Sequence, residues 1–344
     1  MSRLLRHIVH NILPIVLVFL VVTTSTGYAV TILKDSSKWP SFHRSTRTAQ
    51  SVVVTLGRPH TIIDVKQRPK RSTKTAKKSL LKNVSAKSVI VMDAVTGQTL
   101  FSRSPDTPRQ PASTIKVLTG IIAIDSLKNK ERVPVSTKAA RQPRSKVYLD
   151  HRKTYLANDL INAVLLASAN DASVALAEKI AGTEKSFAKM MTTRAKQLGA
   201  KNTICKTASG LTARGQKTTA RDLAVIFQKT MKRKEFATRM KRSKIRTTEG
   251  KLLRNHNKAL WQIDGTLGGK TGYTSAARQT YVGKFKRGKD EIVVALMGSE
   301  TMWTDIKRLV DYGFSKKRHL VKAPVRKSKN STAAIKKEAD ETRS

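Results

Sequence analysis

Residues 269–298, GKTGYTSAARQTYVGKFKRGKDEIVVALMG, decide the architecture. Their apolar and β-branched content predicts three strands, 269–274, 278–286 and 291–298, the last two turned through Arg287-Gly288-Lys289-Asp290. Far upstream, Ser88-Val89-Ile90-Val91-Met92 and Thr99-Leu100-Phe101 read as a hairpin joined through Asp93 to Gly97. Between these groups the apolar period lengthens to that of helices, over 113–127, 158–167, 171–181, 183–198 and 219–232. Thr219-Ala220-Arg221-Asp222 reads as a capping box, and Gly182 and Gly199 as helix stops. A last helix at about 302–312 precedes a polar tail. Strands, then helices, then strands predict an α+β fold: one antiparallel sheet built from both ends of the chain, flanked by helices, with a helical subdomain.

Outside that body the sequence changes character. Arg3 and Arg6 precede the apolar run Ile12 to Val22, and Gly27-Tyr28-Ala29 supplies the small residues of an export cleavage site. Residues 1–29 therefore read as a signal peptide or, if uncut and extended through Leu33, a membrane anchor. Both place the body outside the cytoplasm, in the periplasm or cell envelope. Residues 30–84 read as a basic, largely disordered spacer, because 66–82 carry many cations, no acid and little apolar surface. The compact domain spans 85–318, and 319–344 form a polar, disordered tail.

The chain has 344 residues, with 68 Lys+Arg against 23 Asp+Glu, a formal net charge of +45. The excess is spread along the chain: +13 over 1–82, +28 over 83–320 and +4 over 321–344. Such a spread reads as adaptation to anionic surroundings, envelope polymers or lipid, rather than as one nucleic-acid patch, and no nucleic-acid partner is expected. Cys205 is the single cysteine, which excludes a disulfide within the chain and a cysteine-based metal site.

Three short motifs carry chemistry: Ser113-Thr114-Ile115-Lys116, Ser168-Ala169-Asn170 and Lys270-Thr271-Gly272. Each is weak alone. Ser-x-x-Lys recurs at Ser79–Lys82 and Ser186–Lys189, and Ser328-Lys329-Asn330 repeats the second pattern. Context selects among the copies. Ser113 follows Pro111-Ala112 and opens an apolar helix, where unpaired N–H groups favour a developing anion. Lys116, three residues on, shares its face and can take the hydroxyl proton if its pKa falls. Burial and the charge of Lys270 are the expected causes. Ser168 and Asn170, between two helices, can point a hydroxyl and an amide into a cleft. Gly268-Gly269 and Gly272 let a peptide backbone approach the strand that carries Lys270 and Thr271, which can bind a carboxylate.

In this order and context the motifs resemble those of the serine penicillin-recognising enzymes, with the β-lactamase/transpeptidase-like fold. More narrowly, the chain is similar to the low-molecular-mass D-alanyl-D-alanine carboxypeptidases through Val91-Met92-Asp93-Ala94, Pro111-Ala112-Ser113, Leu165 to Glu178, Thr219 to Ala224, Gly269 to Thr274 and Asp311-Tyr312-Gly313-Phe314. The resemblance implies that Ser113 is the acylated nucleophile and Lys116 its base. It implies that Ser168 and Lys270 relay the proton to the leaving amine, and that Asn170, Thr271, Gly272 and Tyr273 bind substrate, with the N–H groups of Ser113 and Tyr273 as oxyanion hole. The implied activity trims the terminal D-alanine from peptidoglycan stem peptides, with β-lactams as covalent inhibitors and no metal or cofactor implied.

One departure concerns recognition of the substrate carboxylate. The arginine that the family often carries after the last strand, for the substrate carboxylate, is replaced here by Met302-Trp303, with Lys307 and Arg308 as the substitutes to test. Three other readings compete. An endopeptidase cutting cross-links shares every motif. A β-lactamase needs a Glu-x-x-x-Asn element that Glu178, Glu184, Glu235 and Glu249 do not supply. A non-enzymatic polyanion-binding envelope protein would keep the motifs without turnover.

Overall fold

The computed structural model describes residues 82–322, with side chains through 319. The leader, the spacer up to residue 81 and the tail beyond Lys322 lie outside the described residues.

The chain enters the sheet as β1 (Ser88–Asp93) and β2 (Thr99–Arg103). The predicted hairpin turn is made by Asp93, whose carboxylate accepts from Val95 N and Thr96 N, at 2.8 and 2.9 Å. A 3-10 turn (Ala112–Ile115) leads directly into α1 (Lys116–Ser126). Then come β3 (Arg132–Pro134), α2 (Thr137–Ala140), β4 (Thr154–Leu156), α3 (Ala157–Leu165), α4 (Asn170–Ala181) and α5 (Glu184–Gln197). Next are α6 (Ala220–Thr230), α7 (Lys234–Lys241), the small hairpin β5 (Lys244–Arg246) and β6 (Leu252–Arg254), and α8 (Ala259–Gln262). The chain returns to the sheet as β7 (Thr266–Thr274), β8 (Arg278–Arg287) and β9 (Asp290–Ser299), and α9 (Met302–Lys322) follows.

The five-stranded sheet runs β2-β1-β9-β8-β7, antiparallel throughout, so the two ends of the chain meet at the β1–β9 pair. Both faces are covered. On one, Ile90, Met92, Val293, Ala295 and Met297 join the helical core around α1, α3 and α4. On the other, Val89, Val91, Ile292, Val294 and Leu296 pack on Ile306, Leu309, Val310 and Phe314 of α9. Coverage on two sides explains why β9 reads as an unbroken apolar run instead of alternating. α1 is buried along nearly its whole length, as a helix apolar on all sides must be. Thr219 caps α6 by accepting from Asp222 N at 3.0 Å, and Gly182 and Gly199 stop α4 and α5 with φ of 71° and 90°.

Three expectations need correction. Ser113 does not open an α-helix but lies inside the 3-10 turn, with Lys116 as first residue of α1. Asn170 is not between helices but begins α4. The last helix runs ten residues past 312, across the 318/319 boundary, because the Lys317 ammonium reaches Asp93 at 2.9 Å and Asp290 at 3.6 Å and ties the extra turns to the sheet. Composition alone makes Ser315-Lys316-Lys317-Arg318 look like tail.

Candidate active site

β7 is an edge strand: among the described residues it pairs with β8 alone. One face of it meets the 3-10 turn. A Cβ on Gly272 would lie 2.7 Å from Ser113 N, so only glycine lets the strand come this close. Thr280 of β8 donates to Pro111 O at 2.9 Å and holds the same turn from behind. Ala112 is fully buried with φ +49°, and Ser168 has φ +59°. L-residues seldom adopt such angles, at a cost of about 1–3 kcal/mol each. Both flank or carry a predicted site hydroxyl.

The three motifs converge. Lys116 Nζ donates to Ser113 Oγ at 2.8 Å, to Asn170 Oδ1 at 2.8 Å and to Ser209 O at 2.6 Å. The 3-10 turn helps, since residues three apart eclipse in that geometry. Lys270 Nζ donates to Ser168 Oγ at 2.8 Å and to Thr271 O at 3.1 Å. Both lysines are buried, at 0% and 1% exposure. Of the eight predicted residues, Ser113, Ser168, Asn170, Thr271, Gly272 and Tyr273 line one cleft of about 420 Å³, within the usual range of ligand pockets. Lys116 and Lys270 lie behind it as a second layer. The duplicate motif Ser186–Lys189 does not line the cleft; there Thr183 caps α5 by accepting from the Ser186 N–H at 3.1 Å. Ser79 and the copy at 328–330 lie outside the described residues.

Burial strips water from both ammonium groups and so favours their neutral forms. Lys116 is held well below the usual lysine range by burial and then by the charge of Lys270, with Asp171 pulling weakly the other way. Lys270 is lowered to about 7 by burial. Asp171 is occupied, accepting from Val147 N and Leu149 N at 3.0–3.1 Å. No carboxylate lines the cleft among the described residues. His256 on its wall is lowered to about 4 by desolvation of the ring, then by Lys270 and Lys116, although part of the residue meets solvent; it brings no charge at pH 7.

Several participants escaped sequence reading. Ser209 contributes a backbone carbonyl, which has no sequence signature. Arg144, Ser145 and His256 reach the cleft from loops and match no motif. Met302 and Trp303 do line it, while Lys307 pairs with Asp311 at 3.0 Å and Arg308 turns to Asn83 O. Neither of these cations substitutes for the absent arginine. Cys205 is buried, its thiol pushed up to about 12, and is no nucleophile.

Residues 72–301 match the peptidase S11 family, described as D-alanyl-D-alanine carboxypeptidase. Over 241 residues the chain is 36% identical to D-alanyl-D-alanine carboxypeptidase DacB2 of Mycobacterium tuberculosis, covering 67% of this chain and 82% of that protein. It is 30% identical over 247 residues to DacF of Bacillus subtilis, covering 67% of this chain and 62% of that one, so it spans less than two thirds of the longer relative. The fold matches a crystal structure of a D-alanyl-D-alanine carboxypeptidase from M. tuberculosis with TM-score 0.65 and 34% identity, covering 68% and 92% of the two chains. It matches penicillin-binding protein D2 of Listeria monocytogenes in its ampicillin-bound form with TM-score 0.62 and 26% identity, covering 67% and 98%.

Proposed function

The chain belongs to the D-alanyl-D-alanine carboxypeptidase family of serine peptidases, and from that premise we propose that it removes the terminal D-alanine from peptidoglycan stem peptides through an ester on Ser113. The observation that carries the proposal is the pair of buried serine–lysine contacts, Ser113–Lys116 and Ser168–Lys270, both 2.8 Å, behind one cleft. Lys116, whose basicity burial and the Lys270 charge lower, acts in its neutral amine form and takes the Ser113 hydroxyl proton as Oγ attacks the penultimate carbonyl. The developing oxyanion is met by the N–H groups of Ser113 and Tyr273, where one donor is worth about 10²–10³ in rate. The C–N bond breaks as Ser168, in contact with Lys270, gives its hydroxyl proton to the departing amine. Ser168 is reprotonated across the cleft by the proton that Lys116 took from Ser113, which returns Lys116 to its neutral form. Water then cleaves the ester with the same base, returning Ser113. The open edge of β7 suits an extended peptide added as a further strand, with Thr271 and Lys270 beside its carboxylate.

β-Lactams should acylate the same serine. The carboxylate-free wall favours slow deacylation and argues against a β-lactamase. Export is inferred from the leader, which lies outside the described residues. No helix among the described residues is long and apolar enough to cross a membrane. The basic surface would concentrate the enzyme at anionic envelope polymers, an effect that salt weakens.

The test is release of free D-alanine from a synthetic peptide ending in D-Ala-D-Ala, read by a coupled oxidase. The free-ended peptide should be cut and its C-terminal amide largely spared. Cleavage of a cross-linked dimer with no cleavage of the free-ended peptide would replace this reading with an endopeptidase.

A further inference from the structure

The loop 141–149 runs from the cleft onto the surface, and three cations on or facing it surround one ring. Tyr148 is 57% exposed with φ +58°. Lys146 Nζ lies 5.3 Å from its ring centroid, Lys251 Nζ 5.6 Å and the Arg144 guanidinium carbon 5.9 Å, all within cation–π range. Each cation is held by an uncharged oxygen. Arg144 Nε donates to Tyr148 Oη at 2.9 Å, Lys146 Nζ to Ala140 O at 3.1 Å, and Lys251 Nζ to Val147 O. Among the described residues none of the three forms an ion pair. The nearby acids are engaged elsewhere: Asp171 by the loop's own N–H groups, Asp150 by Arg152 at 3.0 Å, and Asp159 by Thr248. Glu249 borders the adjoining hollow with Tyr148 and Lys251.

Unpaired cations are common in so basic a chain. This set differs in two respects. Arg144 and Ser145 line the same cleft as Ser113. The loop is also fastened to the Ser168–Asn170 element: Asn170 N donates to Ser145 O at 2.7 Å, Asn170 Nδ2 to Pro143 O at 2.9 Å, and Asp171 accepts from Val147 N and Leu149 N. An anion bound at Arg144 is thereby placed relative to the residues that hold Lys116.

We propose that Arg144, steadied by Tyr148 and backed by Lys146 and Lys251, is a specificity residue that binds a second carboxylate of the substrate, upstream of the scissile bond. The inference rests on the carboxypeptidase reading. There the leaving group is a single D-alanine whose own carboxylate lies at Lys270 and Thr271, so any further anionic group must belong to the acyl part. Arginine suits the task, because its planar fork meets a carboxylate with two donors.

Three pentapeptides ending in D-Ala-D-Ala decide it: one with a free upstream glutamate carboxylate, one with that carboxylate amidated, and one amidated only at the C-terminus. Both D-alanine release and competition against fluorescent penicillin are measured, so that binding is read even if nothing is cut. The native protein should prefer the free upstream carboxylate about three- to fivefold, the scale of a partly exposed ion pair. That ratio should fall to about one in Arg144→Gln, and salt should shrink it in the native protein. Tyr148→Phe, which keeps the ring but frees Arg144 Nε, should give an intermediate ratio. Equal competition by the two upstream forms in the native protein would overturn the inference, as would a ratio unchanged in Arg144→Gln. So would loss of discrimination only against the terminal amide, which would put Arg144 at the leaving group. Absence of D-alanine release from every peptide would sink the carboxypeptidase reading instead, while competition still decides the role of Arg144.

Discussion

Lys116→Met is expected to slow acylation of Ser113 by about 10²–10⁴-fold, the usual contribution of a positioned general base. The side chain is fully buried and its Nζ is bonded to Ser113, Asn170 and Ser209. Methionine fills similar volume without leaving a charge behind, so the variant should fold. Stopped-flow labelling with a fluorescent penicillin measures the effect. A loss smaller than threefold would remove Lys116 from proton transfer and leave it a structural role.

Lys270→Met should have two separable effects. Turnover should fall by about 10²-fold or more, since proton delivery to the amine and a cation beside the substrate carboxylate are lost together. Folding stability should move the other way, and its sign is set by pH. Burial lowers the Lys270 pKa from 10.5 to about 7. Below pH 7 the lysine is charged in both folded and unfolded chains, and the folded state bears the full cost. Between pH 7 and 10.5 only the unfolded chain holds the proton, so stability of the native protein rises with pH. Above that window the cost is gone. The methionine variant should therefore be more stable than the native protein at pH 6–7, with the gap closing toward pH 10.5. The pKa difference bounds the gap at about 5 kcal/mol, less about 1 kcal/mol for each lost hydrogen bond. Thermal unfolding of both proteins across pH 6–10 reads it. A variant that is less stable at pH 6, or a gap that does not narrow, would mean that Lys270 is not held against its charge.

The sheet was legible because strands fed by distant parts of the chain still carry short-range signals. Ile292-Val293-Val294 declares a strand, and Asp93 with Gly97 a turn, whatever they pair with. α7 was not, because Lys234–Lys241 offers only Phe236 and Met240 to the core; its other buried side chain is Arg239, held by Asn158, Asn162 and Glu235. The end of α9 was missed for a related reason: Lys317 reads as solvated until Asp93 and Asp290 come beside it from the sheet. In the site, side chains that react were found by type and order, whereas the groups that set geometry were not. The carbonyl of Ser209, the left-handed backbone of Ala112 and Ser168, and the approach of Arg144 are consequences of tertiary placement. Cation–π contacts at Tyr148 join residues 144 and 251, a distance in sequence that no motif bridges.

The central claim is that Ser113 becomes covalently acylated. Labelled penicillin is incubated with the purified chain, the adduct is digested, and the labelled peptide is identified by mass spectrometry. The label should fall on the peptide containing Ser113 and be absent from Ser113→Ala. A label on Ser79 or Ser186, or undiminished labelling of Ser113→Ala, would contradict it.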